Sequence, residues 1–521
     1  MREARPFLSP PPSVRLVNAF AQPFDNAVAT ARTCYSPRGI ITAEEVARKP
    51  EARDRLARSI YQAGHHTTLQ HAHFQFALEN VSRQFLWSFL HAHPFYNSEQ
   101  VSQRYVEVKP GTYAIPPLDG EAREIYEQAA LAQIADYQRL IVALQPAAAR
   151  EYYRIFPARQ RSKSSAESSA RDIKKKAQEI ARYVLPVATF AYLYHTVSGL
   201  TLLRYWRLCE QHDAPVETRL IVGEMVRQLL AVDGNFAAIL EEPIPLEETP
   251  EHRFFEARPR AAAVEFTAEF DRDLGGKVSR LVGRKPENEP LVAQAVREVL
   301  GLPRARLGDE EAIKLALDPD QNRYFGEALN LGTLSKVTRA LCHAGYTFKK
   351  KLSHAADSQD QRHRMVPASR PILAAHASDA PDFIRPALVE RQAAAREIYD
   401  ASMARTWRAI ARLRELGVSD EFSSYLLPNA VSVRFTESAD LLHLHHKLKS
   451  RLCYNAQEEI WRASLDEARQ IRDVEPVIGR YLLPPCGLRA MTSVRPLCPE
   501  GDRYCGVPVW KLNIDEYARV I

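Results

Sequence analysis

The chain has 521 residues, 45% of them hydrophobic and 26% charged, with a formal charge of +6. That composition excludes a disordered or fibrous chain and leaves room for about two to four globular domains. So small a positive surplus suits an enzyme of anionic substrates at least as well as a nucleic-acid binder. Seven cysteines, an odd number, and an opening MREARPFLSP without a secretory leader give the reducing cytoplasm as the expected location, not a disulfide framework.

In chain order, SVRLVNAF and HFQFALENV read as strands. Apolar residues at helical spacing predict helices over Glu121 to Ala149, Ile173 to Gln211, Glu217 to Ala231, Ala387 to Leu416 and Glu437 to Ile471. The longest apolar stretch, Tyr183 to Trp206, is interrupted by Pro186, His195 and Ser198 and flanked by charge. A buried helix is expected there, not a membrane span. The basic run Arg159 to Lys176 reads as an exposed insertion; it lacks the interleaved aromatics of a nucleic-acid surface. The proline- and acid-rich stretch from Glu241 to Arg260 reads as an irregular connector.

One pattern is written twice. Leu185-Pro186 matches Leu427-Pro428, Ala214 matches Ala456 and Glu217 matches Glu459, all at an offset of 242. Upstream, VSRQFLW (Val81 to Trp87) matches VTRALCH (Val337 to His343) at 256, and NSEQVSQRYV (Asn97 to Val106) matches DSQDQRHRMV (Asp357 to Val366) at 260. These matches predict two homologous domains, residues 1–242 and 263–521, joined by a linker at 243–262.

The segment Ala63 to Val108 carries the chemistry-bearing residues. Gly64, His65, Thr67, Gln70 and His71 form one element, and Ser102, Arg104 and Tyr105 close another. Together they resemble the flavin-dependent thymidylate synthases, whose pattern is Gly-His-x-[Ser/Thr]-x-x-[Glu/Gln]-His followed by Arg-His-Arg-x-x-Ser-x-x-x-x-Ser-x-Arg. The resemblance implies an α+β fold, here two helix-rich copies in tandem with the second divergent. It implies FAD as cofactor, and reductive methylation of dUMP with methylene-tetrahydrofolate as carbon donor and NADPH as reductant. The substrate side would comprise Ser98, Gln100, Ser102, Arg104, Tyr105, Arg182 and Arg451. The cofactor side would comprise His65, Thr67, His71, His91, His93, Arg362, His363, Arg364 and His446. No side chain is expected as a covalent nucleophile.

The departures are equally specific. His91-Ala92-His93 stands where the family has Arg-His-Arg. The literal triplet Arg362-His363-Arg364 is set opposite Arg104 by the offset of 260, so it reads as a coincidence of letters that still forms a basic cluster beside the nucleotide. Arg182 has Ser424 as its counterpart, and Arg451 has Cys209. Each half lacks what the other keeps, so the halves are expected to complement one another, with a homodimer mimicking the family tetramer. Arg83 and Arg339 are as readily domain contacts as ligands, and Gln457 and Glu459 read as capping or interhelical residues.

The tail from Pro484 places Cys486, Cys498 and Cys505 in a Pro/Gly-rich coil, where they are candidate zinc ligands with Cys453 or a histidine. Without a Cys-x-x-Cys knuckle, packed free thiols are the commoner outcome. Two other functions stay open: a homologue with a different flavin or nucleotide chemistry, and a silent nucleotide- or nucleic-acid-binding module. Membrane association is not expected.

Overall fold

The alternation in FAYLYHTVS turns Ala191, Leu193, His195 and Val197 inward, while Tyr192 and Tyr194 face out. A period of two in a run rich in aromatic and β-branched residues favours a strand over a helix. The expected buried helix is therefore absent here, and Phe190–Ser198 is a strand. Helix begins only at Gly199, where the Ser198 side chain accepts from the Thr201 amide. The second half repeats this: Ser432–Asp440 is a strand and Asp440 caps the helix Leu441–Arg451.

The computed structural model describes residues 7–91, 95–161, 166–211, 213–257, 262–327, 329–376, 378–492, 494–519 and 521. Each half builds one antiparallel four-stranded sheet. In the first, β1 (Ser13–Ala19), β2 (His73–Ser82), β3 (Tyr96–Gln100) and β4 (Phe190–Ser198) lie in the order β1-β2-β4-β3. In the second, β5 (Ser279–Arg284), β6 (Gly345–Ser353), β7 (Ala368–Ser369) and β8 (Ser432–Asp440) lie in the order β5-β6-β8-β7. The fold is α+β, with the same strand order in both halves.

Strand pairing fixes the internal register. β4 and β8 correspond at the offset of 242 read from the sequence. Upstream the two other offsets are wrong. His73 pairs with Ser198 as Gly345 pairs with Asp440, and Ser82 pairs with Phe190 as Ser353 pairs with Ser432. Ser353 is thus the counterpart of Ser82, and Val337–His343 matches the turn before β2, not the residues after it. The count changes by one inside β2, where a bulge between Leu78 and Val81 holds Asn80 at φ 54°. Both serines cap the helix that follows, Arg83–His91 in one half and His354–Asp360 in the other. The triplet Arg362–Arg364 therefore follows its helix in the place of His91–His93. It is not the counterpart of Arg104.

The halves join around their Leu-Pro peptides. The Val187 amide donates to the Leu427 carbonyl and the Asn429 amide to the Leu185 carbonyl, both at 2.8 Å. Glu217 is buried and accepts from the Ser82 amide and hydroxyl of its own half and from the Tyr425 hydroxyl of the other, at 2.7, 2.6 and 2.6 Å. Glu459 does the same with Ser353 and Tyr183. Gln457 caps the helix Glu458–Val474. The long helices Gly120–Ile155 and Ala393–Glu415 pack together, and one hydrophobic core runs through both halves.

Two further expectations change. The connector contains a helix, Pro250–Ala257, because a proline is tolerated in the first turn, whose amide has no intrahelical partner. The basic run ends in the helix Ala166–Ala181, which buries Ile173, Ala177 and Ile180 against Gly120–Ile155 instead of standing free.

Corresponding interior positions differ in chemistry. Leu78, Phe89, His195, Tyr205 and Met225 are buried in the first half. Their counterparts in the second are Lys350, Asp360, Glu437, Lys447 and Glu467, equally buried and ion-paired, with Lys350 Nζ 2.6 Å from Asp360 and 3.0 Å from Glu467. Among the described residues no helix is long and apolar enough to cross a membrane.

Candidate functional site

The turn from β2 into its helix presents Arg83 beneath β3. Its guanidinium donates to Gln100 Oε1 at 2.9 Å and to the Val101 carbonyl at 2.6 Å, while Nε has no partner among the described residues. Beyond β3, Arg104 grips Glu179 with two bonds of 2.9 and 3.3 Å and donates to the Asn455 carbonyl of the second half at 2.9 Å. Arg182, in the turn before Leu185-Pro186, is buried, and its Nε and Nη2 find no hydrogen-bond partner among the described residues.

The second half completes this group. Arg451, the last residue of its helix, donates from Nε to His363 Nε2 at 2.8 Å and from Nη2 to the Gln359 carbonyl at 2.9 Å. Arg362 reaches back to Glu99 at 3.1 Å. Burial, with Arg182 and Arg362 as neighbours, pushes Arg83 down to about 9. Burial, with Arg362 and Arg104 nearby, pushes Arg451 down to about 10 despite the opposing charge of Asp360. Burial also lowers Arg182. The five arginines thus form one electrostatic group drawn from both halves. Glu179 sits among them; burial alone would raise its carboxyl, but Arg104, Lys176 and Arg182 hold it at about 2. Burial and Arg451 keep His363 well below its ordinary value, so the neutral ring can accept.

Beside this group an open cleft lies between the first sheet, at its β3 edge, and the second half. One wall carries Gln75, Ser98, Gln100, Tyr194 and Thr196; the other carries Ser358, Gln361, Arg362 and Arg364. The Arg364 guanidinium lies 4.8 Å from the centre of the Tyr96 ring. Buried donors without protein acceptors and a surplus of guanidinium groups are the chemistry of an anion site, and a phosphate monoester suits it because guanidinium binds it bidentately.

The predicted residues divide accordingly. Ser98, Gln100, Arg362 and Arg364 line the cleft, and the Ser98 hydroxyl is buried without a partner among the described residues. Ser102 accepts from the Arg104 amide at 3.3 Å, and the Tyr105 ring lies 5.4 Å from the Arg104 guanidinium. Arg182 and Arg451 join the arginine group. His363 links to it, and the His446 ring is 6.1 Å from that of His363. His65, Thr67 and His71 are exposed around the turn His66–His71 and do not line the cleft. His91 ends its helix, and His93 lies outside the described residues. Sequence reasoning missed Gln75, Tyr194, Thr196 and Gln361; the first three face outward on β2 and β4, a signal available from strand alternation. It left Arg83 undecided.

The corresponding region of the opposite half pair is not equivalent. His354 stands for Arg83, Ser424 for Arg182 and Cys209 for Arg451. There Asp357 instead ties Trp87 Nε1 at 2.8 Å to Arg370 Nε at 2.9 Å. Cys486, Cys498 and Cys505 of the tail line one cavity with Cys453. Burial and the neighbouring thiols push Cys486 up to about 12 and Cys453 up to about 11. Among the described residues no three His, Cys, Asp or Glu side chains form a ready-made metal site.

The family model described as "Thymidylate synthase complementing protein" matches residues 15–233 and again 280–477, together well over half of the chain, and the chain belongs to that family. Among its relatives, the flavin-dependent thymidylate synthase of Clostridium tetani is 29% identical over 227 residues, covering 43% of this chain and 84% of that protein. The protein of the same name from Geobacter sulfurreducens is 28% identical over 229 residues, covering 43% of this chain and 92% of that protein.

Proposed function

We propose that the chain is a flavin-dependent thymidylate synthase with one composite nucleotide site, converting dUMP to dTMP with methylene-tetrahydrofolate as carbon donor and NADPH as reductant. The observation that carries this reading is the group of five arginines contributed by both halves, with buried donors that no described protein acceptor satisfies. Arg182 and Arg104 would hold the phosphate. Ser98 Oγ and the backbone around Ser102 would orient the ribose and base.

The residues beside the cleft also fit a flavin. Gln75, Tyr194 and Thr196 offer a flat polar and aromatic wall, while Arg362 and Arg364 supply the positive charge that favours an anionic reduced ring and the cofactor's phosphates. When bound, FAD supplies hydride transfer between NADPH and the nucleotide-bound carbon unit. The chain's own residues bind, orient and supply positive charge. His65, Thr67 and His71 stand exposed outside the cleft, which supports a homodimer in which a second chain brings them to the cofactor. The seven cysteines are all free, consistent with work in the cytoplasm.

The test combines absorbance and product analysis on the purified full chain. We expect one FAD per chain, bleached by NADPH in the presence of dUMP, formation of dTMP, and growth of a thymidine auxotroph. Bound FAD without dTMP would overturn the reaction; no FAD on purification or addition would overturn the flavin reading altogether.

A further inference from the structure

Four of the seven cysteines meet at one place. Cys453 lies just past the helix Leu441–Arg451, Cys486 sits in the first turn of the helix Pro485–Met491, and Cys498 and Cys505 lie on the coil beyond it. All four line a single cavity, although they are up to half a hundred residues apart in sequence. Cys209 is buried in the other half, and Cys34 and Cys342 are exposed.

The coil carrying Cys498 and Cys505 is held by packing and a few polar contacts: Cys505 and Val507 pack on the second-half core, Gly506 lies against Ile155 and Phe156, and Cys505 Sγ donates to the Val507 carbonyl at 3.5 Å. Between residue 494 and Pro508 its one regular element is the short turn Gly501–Arg503. Asn455 holds the Arg503 carbonyl at 2.6 Å and Glu500 at 3.3 Å, and Arg489 donates to the Pro496 carbonyl at 3.0 Å. Irregular stretches longer than about 12–15 residues are uncommon, and those in an ordered domain usually carry function. With every thiol free, the cross-link that four converging sulfurs offer is a metal. Thiolate ligands on separate segments select a d¹⁰ tetrahedral ion, and a site with four protein ligands has no open position for catalysis.

We propose that Cys453, Cys486, Cys498 and Cys505 bind one zinc ion in a structural site that staples the C-terminal coil to the second half. The sulfurs surround a cavity without forming a closed ligand set, so binding draws the coil inward around the ion. Four thiols lose their protons as Zn²⁺ is taken up, leaving a cluster of charge −2. The buried Arg519, which donates to the Ala456 carbonyl three residues past Cys453, offsets part of it. The site also bears on the arginine group: Asn455, two residues past Cys453, holds the coil with its side chain and accepts from Arg104 with its carbonyl. Zinc would act as a positioning element for Arg104, not as a catalyst.

The first measurement is elemental analysis of the full chain purified without chelator. We expect one zinc per chain in the wild type and in the Cys34→Ser and Cys342→Ser variants, and less than a tenth of that in Cys498→Ser and Cys505→Ser. Because those variants can fail to fold, the wild type is also exchanged with Co²⁺, where tetrahedral thiolate ligation gives intense visible d–d bands and a near-ultraviolet charge-transfer band. Absence of zinc together with no Co²⁺ spectrum overturns the proposal. So does zinc retained by the Cys498→Ser/Cys505→Ser double variant, iron at one per chain, or a disulfide among these cysteines in freshly purified protein.

Discussion

Pro186 and Pro428 lie opposite one another in an antiparallel bridge. These are the prolines of the two repeated Leu-Pro peptides, so the internal symmetry passes between them. Tyr183 and Tyr425, three residues earlier, each cross it to reach the buried glutamate of the other half. The repeat is legible in sequence at this offset because both copies must keep the same residues to make that exchange.

Replacing Tyr183 or Tyr425 with Phe leaves a buried carboxylate short of one donor. Each change is expected to cost about 1–3 kcal/mol in denaturant unfolding followed by circular dichroism. Unfolding should remain a single transition, since a core shared by both halves links the separate cores of the two sheets; separate transitions for the two sheets would contradict that.

Arg182→Ala is expected to weaken dUMP binding by roughly 10- to 100-fold, the loss of about 1.5–3 kcal/mol for a charge-assisted bond. It should leave the melting temperature unchanged or raised, because a buried cation short of hydrogen bonds is removed. Calorimetric titration and a thermal melt on the same samples check both. Ser424→Ala, at the corresponding position, should leave dUMP affinity as it is.

Glu179 gives an acid-side prediction. Its folded value of about 2 lies below the ordinary 4.5, so its contribution is present above 4.5 and is lost as pH falls toward 2. At about 1.4 kcal/mol per unit, this is of order 3 kcal/mol. Glu179→Gln should flatten stability against pH across that window, as measured by urea midpoints from pH 5 to 2.5.

The buried charges of the second half give the opposite sign. Burial, with Asp360 close by, raises Glu437 to about 7 from 4.5. A group raised in this way contributes stability that is fully present below 4.5 and lost as pH rises through 7. Glu437→Gln should remove that slope between pH 5 and 8. Lys350→Met, which leaves carboxylates facing each other, should cost about 3–5 kcal/mol, read from the denaturant midpoint at pH 7.

How much could be read beforehand follows from the same residues. The Leu-Pro frame was visible because both copies keep it at one gapless offset, and Arg104, Arg182 and Arg451 because the family resemblance implies arginines at those positions. The upstream register was not, because a one-residue bulge at Asn80 and unequal loops shift the count while chance letters in VSRQFLW and VTRALCH suggest another. That misreading made Arg362–Arg364 a coincidence of letters opposite Arg104, although strand pairing sets the triplet in the place of His91–His93, and Arg362 and Arg364 line the cleft. The charged interior around Lys350 was equally hidden: its members come from two strands and three helices, and only the assembled register shows that they replace apolar and aromatic neighbours.

Carrying both cleft walls on one polypeptide has a kinetic consequence. Subunits that share a site must find each other, and that site empties on dilution. Here the encounter is intramolecular, with an effective concentration set by a short tether, so the cross-half arginine group assembles at any protein level, and only what a second chain supplies depends on concentration. Once two copies are always delivered together, neither needs a full set of arginines, and the loss of Arg451's counterpart from one half and Arg182's from the other carries no assembly penalty.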